Sequence, residues 1–510
     1  MTEPRETNEP PLLTKLLGLR ALSDPRFVPL AIVFMFALMT LRMTTQPMLD
    51  PDVYWIAAGG RVLLETGDVP RLNAWSISDA GEAWVFHEWL VGAGYALLTQ
   101  WITPTFVFAA HGILSALLAM LVFAFILKRR AQYTATIAIT MLLALGMARG
   151  AFFQPRPSCT VFVFWLVGLA LFLEPVFSKK RLVASIVLSV VWANAHGSAP
   201  LGSGLLVLGL VAHWKEDDAL RSNTKRRLIA LALSLIALVT TPYGIDLPRL
   251  VGRYLSGGDP AISAVHRAIV EFHPLYEMRP PFGTPAVLAL IVTFTLLGLS
   301  EVVRGVSWLR RISGLLVVTL CAMALHQARH VFQAQTFSLL LLVPLLEEGL
   351  HKAKLATAGK GEVARVIQQL SLGMAASVLI ALCALPFVMK DDESVGDEDF
   401  TSLVQSLPEG AHVYAGWNAA GHVIWLGAAR GLRVLYDPRN DCYSVEAIDT
   451  MMHIEDAPED VADALREADV AHVVLPSSHP VARRLRAEGM HATERGAYAH
   501  YVLAAAREQR

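Results

Sequence analysis

Cysteine and charge are both scarce in this chain. Four cysteines are spread over 510 residues: Cys159, Cys321 and Cys383 lie in apolar runs and Cys442 stands alone near the end. No disulfide framework and no Cys-rich metal knuckle can be built from them. Only 17% of the residues are charged, whereas soluble domains carry about a quarter, which excludes a single water-soluble globule. No Gly-rich phosphate loop marks a nucleotide-binding unit. No basic, aromatic-laced patch points to nucleic acid as a partner. Lysine is missing from 391–510, where 21 acidic residues face 10 arginines, a net charge of −11. Residues 1–390 hold 33 Lys+Arg against 23 Asp+Glu, a net charge of +10. A basic body precedes an acidic tail.

Apolar residues are plentiful, at 54% hydrophobic with a mean hydropathy of +0.46. A bilayer-spanning helix needs about 20 of them in a row. Runs near 27–45, 104–127, 133–149, 158–177, 182–196, 198–212, 228–245, 284–303, 312–327, 331–349 and 366–389 predict a polytopic α-helical membrane protein of about 11 spans. The first run lacks small-residue cleavage chemistry after it and reads as a retained span. Lys and Arg in short loops mark the cytoplasmic side. With the N-terminal segment 1–26 inside, 22 of the 33 basic residues of the body fall in cytoplasmic segments. This requires 88–101 not to cross and 182–212 to be two spans broken at His196-Gly197. The body is then 27–390, with an outer loop 46–103 of interfacial helices. The tail 391–510 lies outside the cytoplasm.

On this topology the polar motifs face outward. Asp50 and Asp52 flank Pro51, whose fixed backbone lets two carboxylates aim at one volume. They suit a general base toward a hydroxyl or a divalent-cation site, or solvated acids at a helix end. His87-Glu88 opens a second interfacial helix and could supply a proton carrier or a metal ligand, or only a helix-start acid. Trp75, Trp84, Trp89 and Trp101 fit an aromatic belt at the membrane surface. Asn194 and His196 interrupt an apolar run, and polar side chains at membrane depth usually face a cavity. Arg156, between two prolines, and Arg329, between His326 and His330, could each clamp a phosphate or meet lipid headgroups. The loop 246–283, long enough for a lid, adds Glu271 and His273.

In the tail, strands are expected at 411–416, 432–436, 471–476 and 499–504, and helices at 444–453, 458–468 and 479–488. The pattern is that of a small α/β domain, whose most polar strand end is Tyr436–Asp441.

Taken together, Asp50-x-Asp52, Gly67-x-x-Pro70, Trp84-x-x-His87-Glu88-Trp89-Leu90, Arg156-Pro157, Trp192-x-Asn194-x-His196-Gly197 and Pro242-Tyr243-Gly244 resemble the membrane glycosyltransferases of the GT-C class. More narrowly, they resemble a group of bacterial polytopic glycosyltransferase-like proteins. The likeness continues into the tail through Asp437-x-Arg439 and Tyr443. Two positions depart from that group: Ile56 follows Trp55 where His is usual, and Pro438 stands where Gly is usual. The resemblance implies transfer of a sugar from a polyprenyl-phosphate donor to an acceptor on the outer face of a bacterial inner membrane. It makes Asp50 or Asp52 the base, or the ligands of a divalent cation. Arg156 becomes the phosphate clamp, with His87 and Glu88 beside the reacting atoms. From their own positions Asn194, His196, Glu271, His273, His326 and Arg329 are the expected substrate contacts. The same outward-facing polar groups would also suit a transporter or flippase of lipid-linked sugars, or a non-catalytic envelope assembly protein.

Overall fold

The computed structural model describes residues 50–130, 157–172, 174–214, 221–256, 258–278, 285–331, 333–338, 340–342, 345, 348 and 398–503. The segment 1–26, the expected spans at 27–45, 133–149 and 366–389, and Arg156 lie outside them.

Within the described body, helices run over Asp52–Thr66 (α1), Trp89–Leu98 (α2), Pro104–Arg130 (α3), Pro157–Phe172 (α4), Lys179–Ala195 (α5), Pro200–His213 (α6), Arg221–Val239 (α7), Asp246–Ser256 (α8), Pro260–Ala268 (α9), Pro285–Arg304 (α10) and Trp308–His326 (α11). The chain between α5 and α6 does break at His196-Gly197. Among the described residues, two helices are long and apolar enough to cross a bilayer unaided, Val287–Arg304 and Trp308–His326. They pack closely because Gly298 and Gly314 face each other's backbone. A β-carbon on Gly314 would stand 2.5 Å from the carbonyl oxygen of Gly298, the small-residue contact typical of membrane helices.

The outward faces of several helices are apolar. Val183, Val187 and Val190 on α5, Leu235, Ile236 and Val239 on α7, and Leu296, Leu299 and Val303 on α10 are all exposed. Exposed hydrophobics in such numbers mark a surface that is covered by a membrane or by another protein. Inside, Trp165, Trp192, Ile291, Phe294, Val317, Cys321 and Phe337 form one core.

Residues 398–503 comprise Glu398–Ser406 (α12), His412–Tyr414 (β1), Gly416–Gly427 (α13), Arg433–Val434 (β2), Val445–Glu455 (α14), Val461–Glu467 (α15), His472–Pro476 (β3), Pro480–Ala487 (α16), Ala492–Arg495 (β4) and Tyr498–Val502 (β5). The sheet order is β2-β1-β3-β5-β4. β1 pairs parallel with β2 and β3 (Val413 opposite Val434 and His472), and β5 pairs antiparallel with β3 and β4. Helix α13, absent from the sequence-based expectation, is buried over most of its surface and so carries no amphipathic period.

The β2 edge is not left open. The outer-loop stretch Trp75–Ser78 lies alongside it: Val434 N–H donates to Trp75 O at 2.8 Å, and Ile77 N–H donates to Val434 O at 2.7 Å. An unpaired edge is a template for aggregation, and the stretch 75–78 covers this one. A single hydrophobic core therefore joins the two regions, running from Val53, Trp55 and Phe86 to Phe400, Val413, Ile424 and Tyr501.

This arrangement corrects two sequence expectations. The first two turns of α1, Val53–Gly60, are buried on every side instead of lying half-sunk at a membrane surface. Tail helix α13 covers them, with Gly421 so close to Pro51 that a β-carbon there would clash with the Pro51 carbonyl. Trp75 and Trp84 are core residues at 7% and 3% exposure, not members of an aromatic belt; Trp101 is 72% exposed.

Candidate functional site

Two buried polar clusters form where loop and tail meet. The first is closed. Arg439 makes a bidentate pair with Asp437: Nε donates to Oδ1 at 2.8 Å and Nη2 to Oδ2 at 2.7 Å. Both side chains are fully buried. Nη2 also donates to Asn73 Oδ1 at 2.7 Å, and Tyr443 O–H donates to Asp437 Oδ2 at 2.8 Å. The guanidinium lies over Trp75 and Trp84, 4.9 and 4.7 Å from their ring centres. Burial opposes its charge, and Asp437 restores it. The tail's Asp437-x-Arg439 thus staples the tail to the loop that carries Asn73.

The second cluster is built by Asp52, His87, Glu88, His196 and Asp441. Asp52 opens α1, so its carboxylate sits at the positive end of a helix dipole and accepts from Trp55 Nε1 at 3.1 Å. Asp50, only 2% exposed, accepts the backbone N–H of Asp52 at 3.0 Å and thereby fixes the turn that presents Asp52. Of the two acids read as solvated at a helix end, Asp50 is buried and Asp52 opens a helix.

Just before α2, His87 Nδ1 meets Glu88 Oε2 at 2.5 Å. Burial disfavours the imidazolium, yet Glu88, Asp441 and Asp52 outweigh it and lift the pKa of His87 to about 9. At neutral pH His87 is a cation. Burial likewise opposes the charge on Glu88, but His87 and His196 hold its carboxyl below the ordinary range. His196 ends α5 with its Nε2 4.0 Å from Glu88 Oε1. Its Nδ1 accepts the Ser198 backbone N–H at 3.0 Å, so the ring proton is assigned to Nε2, facing Glu88. Gly197 leaves no room beside the His87 ring: a β-carbon there would stand 2.3 Å from Cδ2.

Asp441 comes from the tail, two residues after Arg439. Burial pushes its carboxyl upward, the His87 charge pulls it back, and Glu88 adds a smaller upward push. Tyr254 on α8 feels Asp441, Arg329 and Glu88, and burial drives its hydroxyl pKa far up. Asp441 and Tyr254 are the site residues that sequence reasoning missed. The polar strand end Tyr436–Asp441 was the available signal, but nothing in a single sequence ties it to residue 87.

The remaining candidates divide. Arg329 faces Glu271 at 3.9 Å and lies 4.4 Å from the ring centre of Phe272, and its charge reaches the Tyr254 hydroxyl. Asn194 is committed to structure, accepting from Trp89 Nε1 at 3.1 Å and donating to Val190 O at 2.8 Å. His273 Nε2 bonds the carbonyl of Arg267 at 2.9 Å. His326 is exposed at the end of α11.

For a divalent cation, Asp50 and Asp52 each turn one oxygen to a donor of their own helix start. Among the described residues no three His, Cys, Asp or Glu side chains gather as a metal site would need. The described residues therefore do not assemble a cation site by themselves.

No protein-family model matches the chain, and no curated protein matches it by sequence. Solved structures do match. One is the archaeal oligosaccharyltransferase AglB from Archaeoglobus fulgidus in complex with an inhibitory peptide and a dolichol-phosphate, with a TM-score of 0.54 at 10% identity over 88% of this chain and 69% of that one. The A. fulgidus oligosaccharyltransferase tethered with an acceptor peptide gives a TM-score of 0.55 at 10% identity over 94% and 74%. ArnT from Cupriavidus metallidurans bound to undecaprenyl phosphate gives 0.52 at 14% identity over 94% and 98%. At these identities the likeness is one of fold, and the fold is GT-C-like.

Proposed function

We propose, from a fold shared with oligosaccharyltransferase and ArnT, that this chain is an integral membrane glycosyltransferase. It moves a sugar from a polyprenyl-phosphate-linked donor to an acceptor at the outer face of a bacterial inner membrane, with the N-terminus inside and the tail outside. The observation that carries this reading is the convergence of Asp52, His87, Glu88, His196 and Asp441 on one neighbourhood beneath the tail.

In this reading Asp52 is the general base. It takes the acceptor's proton as the acceptor oxygen bonds to the sugar's anomeric carbon. The bond from that carbon to the phosphate oxygen breaks, and the phosphate leaves with the electron pair. Asp50 positions Asp52. The His87 imidazolium, held charged by Glu88, faces the departing phosphate, and His196 orients Glu88. Arg329 and Arg156 contact the donor phosphate, and Glu271 sets Arg329. No step is routed through a cation.

The test is a mass-spectrometric profile of envelope glycans and polyprenyl-phosphate sugars. A deletion strain is complemented with wild type, Asp50→Asn or Asp52→Asn at equal protein levels. Asp52→Asn is expected to lose one glycan and accumulate its lipid-linked donor, with transfer lowered about 10²- to 10⁴-fold. Unchanged glycans would withdraw the base and move the transporter reading ahead.

A further inference from the structure

His266 has no part in the roles above, and packing alone does not account for it. It stands on the last turn of α9. Its ring stacks on Phe272, with centroids 4.4 Å apart and planes 26° from parallel. Phe272 takes no hydrogen bond from it, and Nε2 of His266 is buried without a partner among the described residues. A phenylalanine would stack equally well here and leave nothing unsatisfied. An orphaned buried polar atom costs folding free energy and calls for an explanation such as a missing ligand.

The position of the ring is fixed from both ends. Asp259 caps α9, its Oδ1 accepting the N–H groups of Ala261 and Ile262 at 3.0 and 3.1 Å, while Arg253 Nε donates to Oδ2 at 2.6 Å. Beyond α9, Ala328 N–H donates to the carbonyl of His273 at 2.9 Å, which ties the stretch carrying Phe272 to the turn carrying Arg329. The Arg329 guanidinium lies 4.4 Å from the centre of the Phe272 ring, so imidazole and guanidinium rest against one aromatic side chain. Arg329 is 38% exposed and its contact with Glu271 is loose, at 3.9 Å. The ring of Tyr254 lies 6.4 Å from that of His266, and the Tyr254 hydroxyl feels Glu88 and Asp441 of the reactive cluster. His266 thus adjoins both that cluster's neighbour Tyr254 and the aromatic side chain that carries Arg329. An unsatisfied ring nitrogen beside a half-exposed guanidinium is a setting for an anionic oxygen.

We infer that Nε2–H of His266 donates a hydrogen bond to an anionic phosphate oxygen of the lipid-linked sugar, beside Arg329. The identity of the phosphate rests on the transferase reading; the anion-binding Nε2 does not. Either protonation state serves, because the imidazolium and the imidazole protonated at Nε2 both donate from that atom. No proton leaves His266, so the balance of the transfer step is unchanged.

The experiment uses the full chain purified in detergent, with undecaprenyl phosphate as the binding probe and inorganic phosphate as competitor. Two variants separate the stacking of the ring from its nitrogen. His266→Phe keeps the stack on Phe272 and removes the donor. It is expected to weaken binding about 10-fold or more, the scale of one hydrogen bond to a charged group, and to unfold at or above the wild-type temperature. His266→Gln keeps an N–H in place of Nε2 and gives up the stack. It is expected to bind within about 3-fold of wild type and to unfold at a lower temperature. A Phe variant that binds like wild type, or a Gln variant that binds as weakly as Phe, overturns the inference. So does a Phe variant that unfolds well below wild type, which would show Nε2 to be holding the fold. Inorganic phosphate competing as well as the lipid overturns the lipid assignment. A chain whose lipid binding depends on His266 as expected, yet which transfers no sugar, sinks the transferase reading and leaves His266 in a lipid-phosphate site.

Discussion

Two buried ion pairs lie at the joint between outer loop and tail, and they are built for different ends. In the Asp437–Arg439 pair both carboxylate oxygens accept, the guanidinium is bidentate, and Asn73, Ser76 and Tyr443 add further hydrogen bonds, so that of the pair only Nη1 of Arg439 lacks a partner among the described residues. In the His87–Glu88 pair the contact is single, its neighbour His196 stands off at 4.0 Å, and Asp441 keeps an orphaned oxygen. A densely bonded buried network fixes a structure, and one with few mutual bonds retains capacity for a ligand. The contrast assigns the first pair to holding the tail and the second to chemistry.

The largest effect is expected where the contrast is broken on the structural side. Asp437→Ala leaves Arg439 as an uncompensated buried charge, which costs about 3–5 kcal/mol. Thermal unfolding of the purified chain should show that loss, and limited proteolysis should cut the released tail. If Asp437→Ala unfolds like wild type but loses sugar transfer, the assignment of the two pairs is reversed.

A smaller and differently shaped effect is expected from Glu88→Gln. His87 stands at about 9 in the folded chain against an ordinary value of about 6.5. Its stabilisation is complete below about pH 6.5 and is lost as pH rises through about 9. Glu88 is shifted the other way. Its contribution is present above the ordinary Glu value of about 4.3 and is lost as pH falls through its lower folded value. Glu88→Gln should remove the alkaline decline in stability, roughly 3 kcal/mol, and drop the His87 titration toward about 6.5. Transfer should fall about 10²-fold, with the fold intact. An unmoved His87 titration would show that Glu88 is not what charges it.

How much of this was legible depended on distance along the chain. The break at His196-Gly197 was visible because a histidine and a glycine interrupt an apolar run locally. Strands expected at 411–416, 432–436 and 471–476 were found at His412–Tyr414, Arg433–Val434 and His472–Pro476, since alternation is a local signal. Strand β4 escaped because Ala492–Arg495 is mostly exposed and polar. Trp75 and Trp84 read as belt residues because their partner, Arg439, lies more than three hundred positions away. For the same reason Asp441 went unassigned, and the outer loop and tail read as separate units although one core joins them. Charge pairing across such separations leaves no period in the sequence.

The finest probe of the comparison is Gly197, which touches only the reactive pair. A methyl there would stand 2.3 Å from Cδ2 and 3.2 Å from Nε2 of His87, while the staple lies elsewhere and would not feel it. The ring is held on its other side by Glu88, so it must either lose that contact or displace the α5–α6 turn. Turning the ring is the cheaper course, because Gly197 does not adopt a left-handed backbone and alanine fits its backbone. Gly197→Ala is therefore expected to cost less than about 1 kcal/mol in unfolding while lowering transfer about 10-fold through misplacement of the imidazole. It should also lower the His87 titration as the Glu88 contact loosens. Transfer at the wild-type rate with a displaced His87 titration would mean that the imidazolium is not needed at that spot, and the role given to His87 would pass to Arg329.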